Sequence, residues 1–311
     1  MMKKKILVIA GPTAVGKTEY SIDIAKALDG EIVSCDSMQL YKYMDIGSAK
    51  PTPEERKEVR HWLVDEIDPA EDFSVVKYRK MAKDAIEDIL SRRKLPIVSG
   101  GTGLYLNSLI YDMDFGPVKT DMNYRKKLEA IAKNNGPGVL HNKLKKLDPK
   151  GAERIHPNNV RKVIRALEAI EQGGDAIEDF GDIKNRTSDY DTLLIGLMRD
   201  REELYQRINM RVMMLIDKGL IGEVEKLMEM GFTSDDIAMK GIGYKEIIAY
   251  LNGSYDLSTA IETVQKNTRH YAKRQMTWFN RYEDMEWFDL TSYMTHDDAV
   301  KDILKWVEKN R

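Results

Sequence analysis

The chain has 311 residues, 42% of them hydrophobic and 32% charged, with a net charge of −2 and one cysteine. That length suits one large domain or a domain carrying an insertion, and a lone Cys35 excludes an internal disulfide and any multi-cysteine metal site. Nothing reads as a transmembrane span, and the apolar run Ile6 to Ala10 is too short for a signal-peptide core, so a cytoplasmic protein is expected.

Residues 3–10 read as a buried strand, and 17–28 as a helix with Ile22, Ala25 and Leu28 on one face. Between them, "GPTAVGKT" (Gly11, Pro12, Thr13, Ala14, Val15, Gly16, Lys17, Thr18) fits the phosphate-loop pattern G-x-x-x-x-G-K-[ST], in the required strand–loop–helix context. Backbone N–H groups would cradle a diphosphate at the helix N-terminus. Lys17 would neutralise phosphate oxygens, and Thr18 would bind Mg²⁺.

"GEIVSCDS" reads as a second strand ending in Asp36. "KYRKMAKDAIEDILSRRK" has Met81, Ala85 and Ile89 at helix spacing. "LPIVSGGTGLYLNSLI" is a third strand, glycines, then a helix. This alternation predicts an α/β fold with a P-loop and a doubly wound parallel sheet. In such sheets the site lies beyond the C-terminal strand ends, which gathers Gly11–Thr18, Asp36–Gln39 and Gly100–Thr102. A triphosphate-hydrolysing enzyme usually has a strand ending in Asp. Here the third strand ends in Ser99 and Gly100, so the triphosphate machinery is incomplete. By position Asp36 is open to three roles: general base, Mg²⁺-shell ligand, or helix N-cap. Thr102 is either a phosphate-facing hydroxyl or a turn residue.

The alternation lapses over residues 117–190, which are helical, charged and broken by "NNGPG" and "EQGGD". This stretch reads as an insertion between the core segments 1–116 and 191–311. "TLLIGLM" (192–198) returns as a strand, followed by a long helix from Arg201 and further helices to the end. At about 100° per residue, Leu204, Ile208, Val212 and Leu215 form one stripe. Arg211 lies about 20° outside it, with Arg207 one turn earlier. A guanidinium there needs an anionic partner, either a structural carboxylate or a phosphate. The methionines of 210–239 read as core filling, and Cys35 as a small buried residue. His61 and His156 have no neighbours at metal-ligand spacing.

From Lys240 to Tyr282 seven Lys and Arg face three acids, a local charge of +4 with aromatics interleaved. Such a segment is a solvated helix face or a nucleic-acid contact.

"GPTAVGKT", "DSMQLY", "DIGSAKP", "GGTGLY", "RIHPNNVRKVIRALE", "GYKE" and "YAKRQMTWF" occur in this order over nearly the whole chain. Together they resemble the bacterial tRNA dimethylallyltransferases, also called tRNA isopentenyltransferases. The resemblance implies transfer of a dimethylallyl group from dimethylallyl diphosphate to N6 of adenosine 37, in tRNAs reading codons that begin with U. The partner would be the anticodon stem-loop, the cofactor Mg²⁺, and the working form a monomer. It gives Asp36 the general-base role, and puts Lys17, Thr102, Arg211 and the loop around the leaving diphosphate. It assigns tRNA contacts to Asp36, Ser37, Met38, Gln39, Thr102, Arg125, Arg161, Lys162, Arg165, Lys240, Gly243, Tyr244, Lys245, Lys273, Arg274, Gln275 and Trp278. Two departures stand out: Val15 occupies a position often Ser in relatives, and the zinc finger of eukaryotic relatives is absent. Rival readings are a small-molecule kinase, an isopentenyltransferase acting on free AMP, and a non-catalytic RNA binder.

Overall fold

The computed structural model describes residues 4–71, 73–113, 122–171 and 185–311. The chain divides into two compact units, one formed by residues 1–110 and 187–311 and the other by 111–186.

In the first unit, β1 (Lys4–Ala10), α1 (Lys17–Ala27), β2 (Gly30–Ser34), α2 (Pro53–Glu58), β3 (His61–Trp62), α3 (Val75–Ser91), β4 (Leu95–Gly100) and α4 (Gly103–Ile110) precede the second unit. The second unit holds α5 (Met122–Asn135), α6 (Pro137–Leu147), α7 (Pro149–Arg154) and α8 (Val160–Glu171). The first unit resumes with β5 (Tyr190–Met198), α9 (Arg201–Asp217), α10 (Leu220–Glu229), a 3-10 turn (Ala238–Lys240), α11 (Tyr244–Leu251), α12 (Leu257–Phe279), β6 (Glu286–Asp289) and α13 (His296–Asn310).

The strands form one parallel sheet in the order β3-β2-β4-β1-β5-β6. Residues 6–10 of β1 and all of β2 are buried. A strand covered on both faces needs such an unbroken run of buried residues, which explains why these strands are continuous and not alternating in sequence. All C-terminal strand ends lie on one side, so the segments after β1, β2 and β4 meet there.

Several elements depart from the sequence reading. The second strand stops at Ser34, two residues short of Asp36, so the carboxylate sits in a turn beyond the sheet. Two strands, β3 and β6, were not expected, and β6 interrupts the helices foreseen after Arg201. Trp62 anchors β3: its indole N–H donates to Glu31 of β2 at 2.9 Å. The buried stripe of α3 is Tyr78, Ala82, Ala85, Ile86 and Ile89, with Met81 at its edge. In α9, Leu204, Ile208 and Val212 are buried while Leu215 is only half-buried. The methionines of this region are mostly not core residues. Met210, Met213, Met214 and Met230 are 43–58% exposed, and only Met239 is fully buried.

The second unit has its own core of Leu128, Leu140, Leu144, Ala152, Val163, Ile164, Ala166 and Leu167. It spans 111–186, against the 117–190 expected from the loss of alternation. Residues 117–121 and 172–184 of that stretch lie outside the described residues.

Candidate functional site

The phosphate loop leaves β1 at Ala10 and enters α1 at Lys17. Its turn requires Gly16, whose φ of 118° is a region that side chains disfavour. The first amides of α1 have no partner inside the helix, and the helix dipole favours an anion at that end.

The loop is held at consecutive positions, by its own Lys17 and by side chains from outside. Lys17 Nζ donates to the carbonyls of Gly11 at 3.0 Å and Pro12 at 2.8 Å. The Thr13 amide donates to Gln275 Oε1 at 2.9 Å. Arg207 Nε donates to the Ala14 carbonyl and Arg199 Nε to the Val15 carbonyl, each at 2.9 Å. In a trans peptide the N–H points opposite to the C=O. Turning the Val15 carbonyl out toward Arg199 therefore turns the Gly16 amide the other way.

Lys17, Arg211 and Asp36 lie within electrostatic reach of one another. Burial pushes the Lys17 ammonium down to about 8, with Asp36 opposing the shift and Arg211 adding to it. Arg211 is also lowered, by burial first, then opposed by Asp36 and reinforced by Arg207. A buried cation is stable only with a counter-charge. Two cations share one carboxylate here, so the site has room electrostatically for a further anion. Burial also pushes the Cys35 thiol beside them up to about 12, which leaves it protonated and inert.

Asp36 is placed by its own turn. Oδ1 accepts the Met38 amide at 2.8 Å. Thr102 closes the turn from β4: its hydroxyl accepts the Ser37 amide at 3.1 Å, and its own amide donates to the Cys35 carbonyl at 3.1 Å. Tyr271 of α12 also hydrogen-bonds Thr102; burial and the Asp36 charge raise its phenol. Thr102 thus joins the Asp36 turn to α12. A narrow cavity beside them is lined by Lys17, Thr18, Ser21, Ser34, Asp36, Gln39 and Ser99 among others. Its donors are hydroxyl, amide and carboxylate oxygens, a set that suits a Mg²⁺ keeping several of its waters. Thr18 would be the residue to hold it.

The expected RNA contacts separate into groups. Lys273 and Arg274 are exposed on α12, and Lys240 of the 3-10 turn and Lys245 of α11 are exposed as well. Arg161, Lys162 and Arg165 are exposed on α8 of the second unit. Others are committed inside the fold. Arg125 makes a two-pronged pair with the buried Glu168, at 2.6 and 2.9 Å. Tyr244 is fully buried, and its hydroxyl donates to Glu223 at 2.8 Å. Gly243 caps α11, its amide donating to Glu246 at 2.8 Å. Gln39 accepts the Ser34 hydroxyl at 2.9 Å and donates to the Ala49 carbonyl at 3.3 Å. Met38 lies against Gly241, where a Cβ would come within 2.6 Å of its methyl. Trp278 is half-buried against Gly103 and donates to Tyr282 at 3.3 Å. Gln275 is buried. Each of these residues has its place in the fold fixed by the protein's own contacts.

Arg199 and Tyr271 were missed in the sequence. The signal for Arg199 was available: it is the first cation past β5, at the same sheet end as the loop.

Comparison with known proteins agrees with the geometry. A family model described as IPP transferase matches residues 39–282. A tRNA dimethylallyltransferase of Alkaliphilus oremlandii is 53% identical over 304 residues, covering 98% of this chain and 97% of that protein. One of Clostridioides difficile is 48% identical, covering 99% of both. The crystal structure of the full-length tRNA isopentenylpyrophosphate transferase from Bacillus halodurans superposes with a TM-score of 0.74 at 44% identity, covering 99% of this chain and 96% of that one. A eukaryotic dimethylallyltransferase solved acting on tRNA gives a TM-score of 0.82 at 32% identity, covering 99% of this chain and 80% of that one. The chain belongs to the IPP transferase family, among the tRNA dimethylallyltransferases.

Proposed function

We propose that this enzyme transfers the dimethylallyl group of dimethylallyl diphosphate to N6 of adenosine 37 in tRNAs reading codons that begin with U. The observation that carries the reading is the cluster of Lys17, Arg211 and Asp36 at the mouth of the phosphate loop. Two half-buried cations and a row of amides await an anion, and one carboxylate stands beside them.

In the reaction the bond from allyl C1 to the diphosphate oxygen breaks and the bond from N6 to C1 forms. One proton leaves N6. The adenine amine is a weak nucleophile, because its lone pair is delocalised into the ring. Asp36 takes the proton as the bond forms. Lys17, Arg211 and the loop amides stabilise the charge that develops on diphosphate. Mg²⁺, when bound at Thr18, adds Lewis-acid stabilisation of those oxygens. No γ-phosphoryl group moves, so β4 can end in Ser99 and Gly100 without a metal-orienting acid. The adenine must leave its stack to reach Asp36, and a loop nucleotide is suited to that. Lys273 and Arg274 supply phosphate contacts for the RNA backbone.

The test is a transfer assay with Mg²⁺, radiolabelled dimethylallyl diphosphate and an unmodified tRNA bearing A36-A37-A38. Free AMP and an A37→G tRNA run beside it. Label only in the A37 tRNA is the expected result. Label in AMP would make the acceptor a free nucleotide, and ATP consumption without label would return the loop to a kinase.

A further inference from the structure

Helix α12 hydrogen-bonds the phosphate loop through Gln275. Gln275 is 6% exposed. Its carboxamide oxygen accepts the Thr13 amide at 2.9 Å, and its nitrogen donates to the Gly101 carbonyl at 2.9 Å. Position 101 must be glycine for this contact, since a Cβ there would lie 2.2 Å from Gln275 Nε2. The sequence neighbours Lys273 and Arg274 are exposed, so the same turn shows cations outward and an amide inward.

The other side chains that support the loop are all cations, and all take carbonyls: its own Lys17, and Arg207 and Arg199 from outside. Thr13 is the one supported position that offers an N–H. A cation cannot accept it. A carboxylate could accept it, but could not donate to Gly101 and would place negative charge against an anion site. A primary amide of this length satisfies both partners and adds no charge.

We infer that Gln275 is a positioning residue for the phosphate loop: it fixes the Thr13 peptide to the turn after β4, so the loop keeps its anion-binding curve before diphosphate arrives. This rests on the reading of the loop as a diphosphate site. Preorganised amides lose no binding energy to rearrangement, so the contact acts on diphosphate affinity and not on RNA affinity.

The experiment compares wild type, Gln275→Met, Gln275→Glu, Gly101→Ala and Lys273→Ala. Inorganic diphosphate with Mg²⁺ is titrated calorimetrically, tRNA binding is measured separately, and steady-state kinetics are run with the allylic substrate. Gln275→Met should weaken diphosphate binding about 5- to 20-fold, the loss of one or two buried hydrogen bonds. Gln275→Glu should weaken it more, through repulsion. Gly101→Ala displaces the amide from the other side and should reproduce the Met result, so the inference stays testable if one variant fails to fold. In each, KM for the allylic diphosphate rises, kcat falls with the lost stabilisation of the leaving diphosphate, and tRNA affinity holds. Lys273→Ala should do the reverse, losing tRNA affinity alone. Folded Gln275 and Gly101 variants that bind diphosphate as wild type does, or that lose tRNA affinity as Lys273→Ala does, overturn the inference alone. Wild-type protein that binds no diphosphate overturns the proposed function and this inference with it.

Discussion

Burial loosens the hold of Lys17 on its proton and pushes its ammonium down to about 8. The anion needs the charged form. Above about pH 8 the empty enzyme must take up a proton to bind, so dimethylallyl diphosphate affinity should fall about tenfold per pH unit until the bound-state pKa is reached. The substrate's own last ionisation lies near 6 and is complete by then. Calorimetry from about pH 7 to about pH 10 checks this, and a flat profile would contradict it. Asp36 makes a different prediction. Asp36→Ala should lower kcat by about 10²- to 10⁴-fold, the usual worth of a general base, with tRNA affinity intact. Equal loss of rate and binding would remove the base role. Both residues were legible in sequence: a motif fixes Lys17, and an acid just past a strand marks Asp36. The loop contacts of Gln275 and Arg199 were not. Their partners lie 262 and 184 residues away, and no local pattern encodes such a contact.

The helices show where pattern reading succeeds and fails. In α9 the 3.6-residue stripe found the buried Leu204, Ile208 and Val212, because tertiary packing and periodicity agree there. Reading Met210, Met213 and Met214 as core filling failed, because they are apolar by type but lie off that buried face. For α12 the charges were legible and the inward amide was not. Lys273→Ala should weaken tRNA binding uniformly and reduce the slope of log affinity against log salt by about 1. Unchanged affinity at low salt would remove the contact. Glu223 of α10 performs a task that composition could not suggest. Its carboxylate accepts the amides of Asp45, Ile46 and Gly47 at 2.7–2.9 Å and the Tyr244 hydroxyl at 2.8 Å. It thereby fastens the loop that follows the Asp36 turn. Glu223→Ala should destabilise the protein by about 2–4 kcal/mol, the scale of charged hydrogen bonds left unmade, and expose residues 42–50 to proteolysis. Thermal melts and limited digestion would measure it.

At the scale of the chain, the insertion was readable because strand–helix alternation lapses, and charge and glycine breaks replace it. The first unit is continuous across the junction: the Thr187 amide donates to the Ile110 carbonyl at 3.0 Å. The second unit opens and closes on itself as well, with the Asp112 amide donating to the Asn185 carbonyl at 3.0 Å. Replacing residues 113–184 by a short glycine-rich link should therefore leave a folded core that binds diphosphate as the full chain does, while tRNA affinity falls. A core that fails to fold would show the units to be interdependent. The strands β3 and β6 escaped sequence reading because two and four residues are too few to establish a period. Their brevity has a consequence of its own. They form the two rims of the sheet, and a rim offers unpaired backbone groups to any passing chain. Rims this short give another copy almost nothing to extend, so the hydrophobic strands between them are shielded from fibril-like stacking by the elements that look least like structure.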